Sequence, residues 1–367
     1  MNMNINMASR VTVLAVGVEN YQNMRRLRGP RNDISNLRQL LVESNDTALY
    51  EAHQFIELRN PTTEQLRSIV SDYTLQRSAR GDILVFYFSG HGKPVGRDDF
   101  GFCATDTLIH PGVNTVLPLT VFKFSDLLES LSIMDVTPVV IIDACYSGSA
   151  SSALHISPRD AIITMQSEIR RVTASNHALL CSCSDMQVSI ESPTGGVFSQ
   201  YLFEIASEGI QSRNKFLLGL QDMFPLLTER IETDPADANP RLYLGDTLPD
   251  FPFVKNVGYS TQTERFTGYL KQILNKLWNN GNERELSRDE ILTEVGRGAY
   301  GNHSKLSYVP WLLVEDNPDN RKRRLTASGR EFMQGKIAIP QTIQKDPITN
   351  EWIDAPDTPY IDISAYD

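Results

Sequence analysis

Val85-Phe86-Tyr87-Phe88-Ser89-Gly90-His91-Gly92 and Val139-Val140-Ile141-Ile142-Asp143-Ala144-Cys145-Tyr146-Ser147-Gly148 decide how this chain folds. Each begins as an unbroken run of β-branched and aromatic residues and stops at a turn of small ones. Such a run, with no polar alternation, reads as a strand buried on both faces, hence a central strand of a parallel sheet. In open α/β sheets, chemistry collects outside the carboxyl ends of those strands. The two runs therefore bring one histidine, His91, and one cysteine, Cys145, to the same edge of one sheet.

Working outward, Arg10 to Tyr21 reads as a first strand, with Val11 to Val18 as its apolar run. Arg31 to Ser44 follows as an amphipathic helix with Ile34, Leu37, Leu40 and Leu41 on one face. Thr62 and Thr63, with Glu64 behind them, open a helix to Ser78. Helices are also predicted around 123–132 and 196–208, and a strand over Ala178 to Ser184. Strands alternating with helices imply βαβ units and a mostly parallel sheet flanked by helices, an α/β fold. Pro, Gly and polar residues cluster between Leu248 and Thr263, so a domain of residues 8–250 is expected to end there. Residues 259–345 read as a second, mainly helical domain. It has an amphipathic helix from Glu264, a capping box at Ser287 to Glu290, a short helix over Ser304 to Val309, a hairpin around Asn317 to Asn320, and a last helix after Thr326. Three helices and a hairpin bearing Arg321-Lys322-Arg323-Arg324 resemble a winged helix-turn-helix. Residues 346–367, acidic and Pro-bearing, read as a loose tail.

The chain has 367 residues and a net charge of −10, which argues against a general nucleic-acid binder. No apolar run is long enough to span a bilayer, and Met1 to Ser9 lacks the pattern of a secretory signal. The four cysteines (103, 145, 181 and 183) show neither a disulfide framework nor zinc spacing, which fits a reducing cytoplasm. Cys103, Cys181 and Cys183 read as small core residues.

The chemistry follows from residue type. A thiol is mostly protonated at neutral pH, and the thiolate is the nucleophile. A neighbouring histidine can take that proton and return it to a leaving amine. Glycines beside both groups allow close backbone approach, and the N–H groups of Gly92 and Cys145 are candidate donors to an oxyanion. Chemistry of this kind needs no cofactor. Space-filling by Cys145 and turn-capping by His91 would leave the matched glycines and the two strand-end positions without a reason.

These motifs, Tyr87-Phe-Ser-Gly-His91-Gly and Asp143-Ala-Cys145-Tyr-Ser-Gly, together with Arg28-Gly-Pro-Arg-Asn-Asp33 after the first strand, resemble the caspase and metacaspase family of cysteine peptidases over roughly residues 8 to 250. Caspases place the histidine about 50 residues before the cysteine; here the two stand 54 apart. The resemblance implies Cys145 as nucleophile and His91 as general base. Asp33 matches an acidic position of the metacaspase pocket, Ser89 a pocket serine, and Asp143 replaces the glutamine of animal caspases. Two carboxylates favour a cationic partner, so cleavage after Arg or Lys is expected. The plainer reading of Asp143 as a strand end and Asp33 as a helix cap stands beside it.

The resemblance also implies activation loops after the nucleophile, where Arg170 and Arg171 are candidates for self-cleavage; the spacing of Ala161 to Val172 reads equally as a solvated helix. Many metacaspases take calcium. Asp98, Asp99 and Asp106 lie in the matching region, as oxygen ligands or as ordinary solvated carboxylates. Three functions are thus on the table. The first is an endopeptidase acting on protein substrates, in the family's setting a regulated effector of bacterial cell death or defence. The second is a non-enzymatic regulator whose C-terminal module binds a protein partner, the preferred mode, or DNA. The third is a peptide ligase on the same fold.

Overall fold

The computed structural model describes residues 11–96, 99–112, 115–146, 158–173, 177–182, 191–192, 195–213, 215–232, 240–245, 251–261, 263–265, 268–295 and 313–366. They form two compact units, Met1–Tyr259 and Ser260–Asp367.

The first unit is built on strands β1 (Val11–Gly17), β2 (Phe55–Arg59), β3 (Ile83–Val95) and β4 (Asp99–Phe102). A small hairpin follows, β5 (Ile109–His110) with β6 (Thr115–Val116), and then β7 (Phe122–Lys123), β8 (Thr137–Tyr146) and β9 (Ala178–Cys181). Next come β10 (Glu191–Ser192) and β11 (Gly195–Gly196), then β12 (Leu217–Leu218), β13 (Arg241–Leu244) and β14 (Val254–Lys255). The main sheet runs β13-β9-β8-β3-β1-β2. Pairs from β9 through β2 are parallel, while β13 closes one edge antiparallel to β9. β3 outruns the sheet and folds back against β4, which pairs β7.

Helices α1 (Pro30–Arg38), α5 (Val197–Glu208) and α6 (Leu220–Glu232) contribute to a core with Val13, Val85, Tyr87, Val139 and Ile141. Helices α2 (Thr63–Asp72), α3 (Phe124–Ser132) and α4 (Pro158–Thr173) supply the opposite core with Leu14, Phe86, Phe88, Val140 and Ile142. Consecutive residues of β3 and β8 thus enter two cores, which explains why those strands carry no polar alternation. The expected α/β fold, a mostly parallel sheet flanked by helices, is the one observed. From β1 the chain moves outward to β2, and from β3 it moves the other way to β8. The carboxyl ends of β1 and β3 therefore form a topological switch point, where such sheets open a crevice.

The second unit contains α7 (Gly268–Trp278), α8 (Arg288–Val295) and a helix Ala327–Met333. The expected hairpin pairs Val314–Asp316 with Arg323–Leu325, and Leu286 bridges to Arg323. The helix expected at 304–309 lies outside the described residues, so the winged-helix arrangement remains an expectation. The tail differs from its sequence reading. Trp352–Asp354 pairs with Thr342–Lys345, which also pairs Thr263–Arg265, and Tyr360–Ile361 pairs with Ile339–Pro340. Ile339 and Ile343 enter this unit's core, and Trp352 and Ile361 pack against it, which ties the acidic segment down.

Candidate active site

Residues 91 and 145 stand opposite each other in the register of β3 and β8, as do Ser89 and Asp143 two positions back. Adjacent strands lie about 4.8 Å apart, so residues 54 positions apart in sequence are side by side at one rim. The side chain of Cys145 lies outside the described atoms; its strand position is fixed.

His91 is buried and held on several sides. Its Nε2 lies 2.8 Å from the Arg25 carbonyl oxygen. That oxygen only accepts, so Nε2 carries the proton and Nδ1 keeps its lone pair. Nδ1 is buried and has no hydrogen-bond partner among the described residues. The His91 N–H donates to Tyr21 Oη at 2.8 Å, Tyr21 Oη donates to the Val18 carbonyl at 2.9 Å, and the two rings lie 4.7 Å apart. Burial is the main cause that lowers the His91 pKa from its ordinary value. The Arg25 carbonyl bond opposes this, and the Lys93 and Arg25 cations add to the lowering. The imidazole is therefore a neutral base at neutral pH. Gly92, beside it, is a glycine of necessity: a Cβ there would lie 2.3 Å from Phe100 Cζ.

Beneath this rim sit two buried carboxylates. Asp33, in the first turn of α1, accepts from Ser89 Oγ at 2.8 Å and from the Gly196 N–H at 3.1 Å. Asp143 accepts from Ser199 Oγ at 2.5 Å and from the Ser199 N–H at 3.3 Å. Burial raises the Asp143 pKa, and the Ser199 hydroxyl, the Ser199 N–H and the Ser182 side chain pull it back. Tyr87 Oη lies 2.5 Å from Ser199 Oγ, and its pKa is pushed well up, first by burial and then by the Asp33 and Asp143 charges. The structure thus gathers Asp33, Ser89 and Asp143 around the start of α5. It adds Gly195, Gly196, Ser199 and Tyr87, to which the sequence reading gave no part in the site. A Cβ on Gly195 would lie 2.4 Å from Asp33 Oδ1, and one on Gly196 2.3 Å from Asp143 Oδ2. A Gly-Gly pair opening a helix was the one available signal.

Other expected positions do not converge here. Asp99 accepts from Ser125 Oγ at 2.6 Å and from the Ser125 N–H at 3.3 Å, at the start of α3. Asp106 accepts from the Thr63 N–H at 2.8 Å and from Thr63 Oγ1 at 3.0 Å, at the start of α2. Each carboxylate satisfies a different helix N-terminus, and Asp98 lies outside the described residues. Among the described residues, no group of three or more His, Cys, Asp or Glu could hold a metal ion. Arg170 and Arg171 lie in the last turn of α4, where Arg171 bonds Glu168 at 3.0 Å. The segment is therefore helix, the second of its two readings, and the backbone around these arginines is not the extended one a peptidase binds. Cys103 and Cys181 are buried and outside any disulfide, as expected of core residues. Among the described residues no helix is long and apolar enough to cross a membrane.

A family model described as the caspase domain matches residues 10–244. Metacaspase-1 of Lodderomyces elongisporus is 27% identical over 155 residues, covering 38% of this chain and 33% of that one. The chain thus matches about a third of this curated relative's length. The crystal structure of protein GSU0716 from Geobacter sulfurreducens aligns at a TM-score of 0.44 and 16% identity, over 66% of this chain and 96% of the other.

Proposed function

The chain belongs to the caspase-domain family, which supports a cysteine-peptidase activity, and from that premise we propose that it is an endopeptidase cleaving proteins after Arg or Lys. The observation that supports it is the in-register placement of residues 91 and 145, with His91 fixed through Nε2 and Nδ1 left as its basic nitrogen.

In this reading, His91 Nδ1 takes the Cys145 proton as sulfur attacks the scissile carbonyl. The backbone N–H groups of Gly92 and Cys145 receive the oxyanion. The C–N bond then breaks, and the imidazolium proton passes to the leaving amine. Water, deprotonated by His91, hydrolyses the thioester and regenerates the thiol. Because burial lowers the His91 pKa, the resting imidazole is neutral and able to take the proton. Asp33, Ser89 and Asp143 receive the cationic side chain through charge-assisted hydrogen bonds.

Calcium dependence, the cytoplasmic setting and a role in cell death or defence rest on the resemblance. For the C-terminal unit, docking of a regulatory protein is favoured over DNA. Lys322, Arg323 and Arg324 pair with Glu290, Asp316 and Glu315 at 3.6, 3.1 and 2.8 Å, which leaves less charge for phosphates.

The test is a positional fluorogenic peptide library on the full chain and on Cys145→Ala. Hydrolysis after Arg and Lys, abolished in the variant, is expected. Turnover that survives Cys145→Ala, or cleavage after Asp but not Arg, would overturn the proposal. Ligated rather than hydrolysed products in mass spectra would replace peptidase with ligase.

A further inference from the structure

Helix α5 begins at a residue that cannot cap it. Its N-cap is Gly196, and no side chain of its own bonds the first turn. The acceptor comes from another strand: Asp143 Oδ2 receives both the N–H and the hydroxyl of Ser199. Ser199 is fully buried, and Tyr87 Oη stands 2.5 Å behind its Oγ. A serine hydroxyl has one proton. A carboxylate only accepts, so Ser199 donates to Asp143 and Tyr87 donates to Ser199.

We infer that Ser199, backed by Tyr87, is a positioning residue that holds Asp143 as an oriented carboxylate for a cationic substrate side chain; the inference rests on the basic-residue pocket proposed above. Both donors approach Oδ2, which fixes the plane of the carboxylate before substrate arrives. The chain Tyr87–Ser199–Asp143 has a single proton direction only while Asp143 is ionised, so it favours that state. The titratable groups that share this buried space with Asp143 are Asp33 from α1 and Tyr87 from β3, and positions 91 and 145 lie two register steps further along β3 and β8. The first turn of α5 adds only Ser199 and backbone N–H groups. Burial is the main influence against ionisation of Asp143, and among the described donors Ser199 is the leading counterweight.

The role acts on the charge of the pocket, so a pH profile separates it from simple helix capping. The experiment uses full-length Cys145→Ala protein, with agmatine as the probe of guanidinium binding, by calorimetry from mildly acidic to mildly alkaline pH. With Ser199→Ala added, agmatine Kd is expected to rise roughly tenfold at neutral pH, the scale of one lost hydrogen bond to a charge. The acid-side loss of binding should also move to higher pH. Tyr87→Phe keeps the ring and the helix start, and should shift both in the same direction by less. Unchanged affinity and pH profile in both variants, with the parent still binding agmatine, would overturn the role of Ser199 alone. A parent that does not bind agmatine would instead overturn the basic pocket, and this role with it.

Discussion

Gly196→Ala isolates the close approach of α5 to Asp143. An added Cβ would lie 2.3 Å from Asp143 Oδ2 and 3.1 Å from its Cγ. Carbon and oxygen in contact sit about 3.3 Å apart, so one of them must retreat by roughly 1 Å. The carboxylate cannot retreat freely, because Oδ2 is held by the Ser199 N–H and hydroxyl. Hydrogen bonds to a charged group contribute about 1.5–3 kcal/mol each, and losing most of two, with partial relaxation, destabilises the first unit by roughly 2–4 kcal/mol. A positioning group displaced by ~1 Å also lowers turnover, here by about 10²-fold in kcat/KM for Arg peptides. The assay is urea unfolding of the full chain with two probes. The three tryptophans, Trp278, Trp311 and Trp352, all lie in the second unit, so their fluorescence reports that unit and serves as an internal control. Far-UV circular dichroism reports both units. The dichroism transition should split, its first phase moving to lower urea while the fluorescence transition stays in place. Gly112→Ala is the matched control, since a Cβ there meets only His110 ring atoms at 3.4 and 3.5 Å, and should change stability by less than about 0.5 kcal/mol. Wild-type stability and turnover in Gly196→Ala would refute the packing of this glycine on Asp143.

Lys93 is buried two residues beyond His91 on β3, and its cation disfavours the imidazolium; Lys93→Met should raise the His91 pKa. Because His91 must be neutral to accept a proton, the acid limb of kcat/KM then moves to higher pH, and a limb that stays put or moves down would refute the coupling. Asp143→Asn keeps the shape and removes the charge. Cleavage after Arg should fall roughly 10²-fold, with alkylation of Cys145 by iodoacetamide near the parent rate. Asp99→Ala removes the acceptor for Ser125 at the start of α3. It should lower stability by about 1 kcal/mol in urea melts and leave any response to added calcium as in the parent.

The sequence was most readable where burial is two-sided. The runs at Val85 and Val139 allow few alternatives, and with them come the parallel sheet, its flanking helices and the pairing of positions 91 and 145. Legibility fell where a local rule was overridden by tertiary packing. Pro225 reads as a helix breaker, yet α6 runs through it, with Met223 and Leu227 buried in the core. β13 is a four-residue edge strand whose antiparallel pairing with β9 has no local signature. Ser199 belongs to no motif; its bond to Asp143, 56 residues away in sequence, arises only because α5 starts against that carboxylate. The capping contacts of Asp99 and Asp106 were hidden for the same reason. A carboxylate on a polar loop looks solvated or ligating until the N–H groups that it meets, of Ser125 and Thr63, are known.

Those capping carboxylates also clarify the site. Asp99, Asp106 and Asp143 all serve helix starts from a distance, so capping by itself does not mark a pocket. What sets Asp143 apart is its company. It shares its surroundings with Asp33, a second buried carboxylate, and both raise the pKa of Tyr87 between them. Two like charges in one buried space oppose folding, and the surrounding donors offset only part of that cost, since burial remains the dominant influence on Asp143. The start of α5 takes acceptors from both groups, Asp143 for Ser199 and Asp33 for the Gly196 N–H, and the second buried carboxylate adds repulsion to that bond. In the proposed pocket, an entering cation is what makes the pair favourable. A guanidinium or ammonium would relieve the repulsion and gain charge-assisted bonds to both groups, and a neutral or acidic side chain would do neither. On that proposal, selectivity for basic residues follows from an electrostatic strain present before substrate arrives, two register positions below the rim where positions 91 and 145 meet.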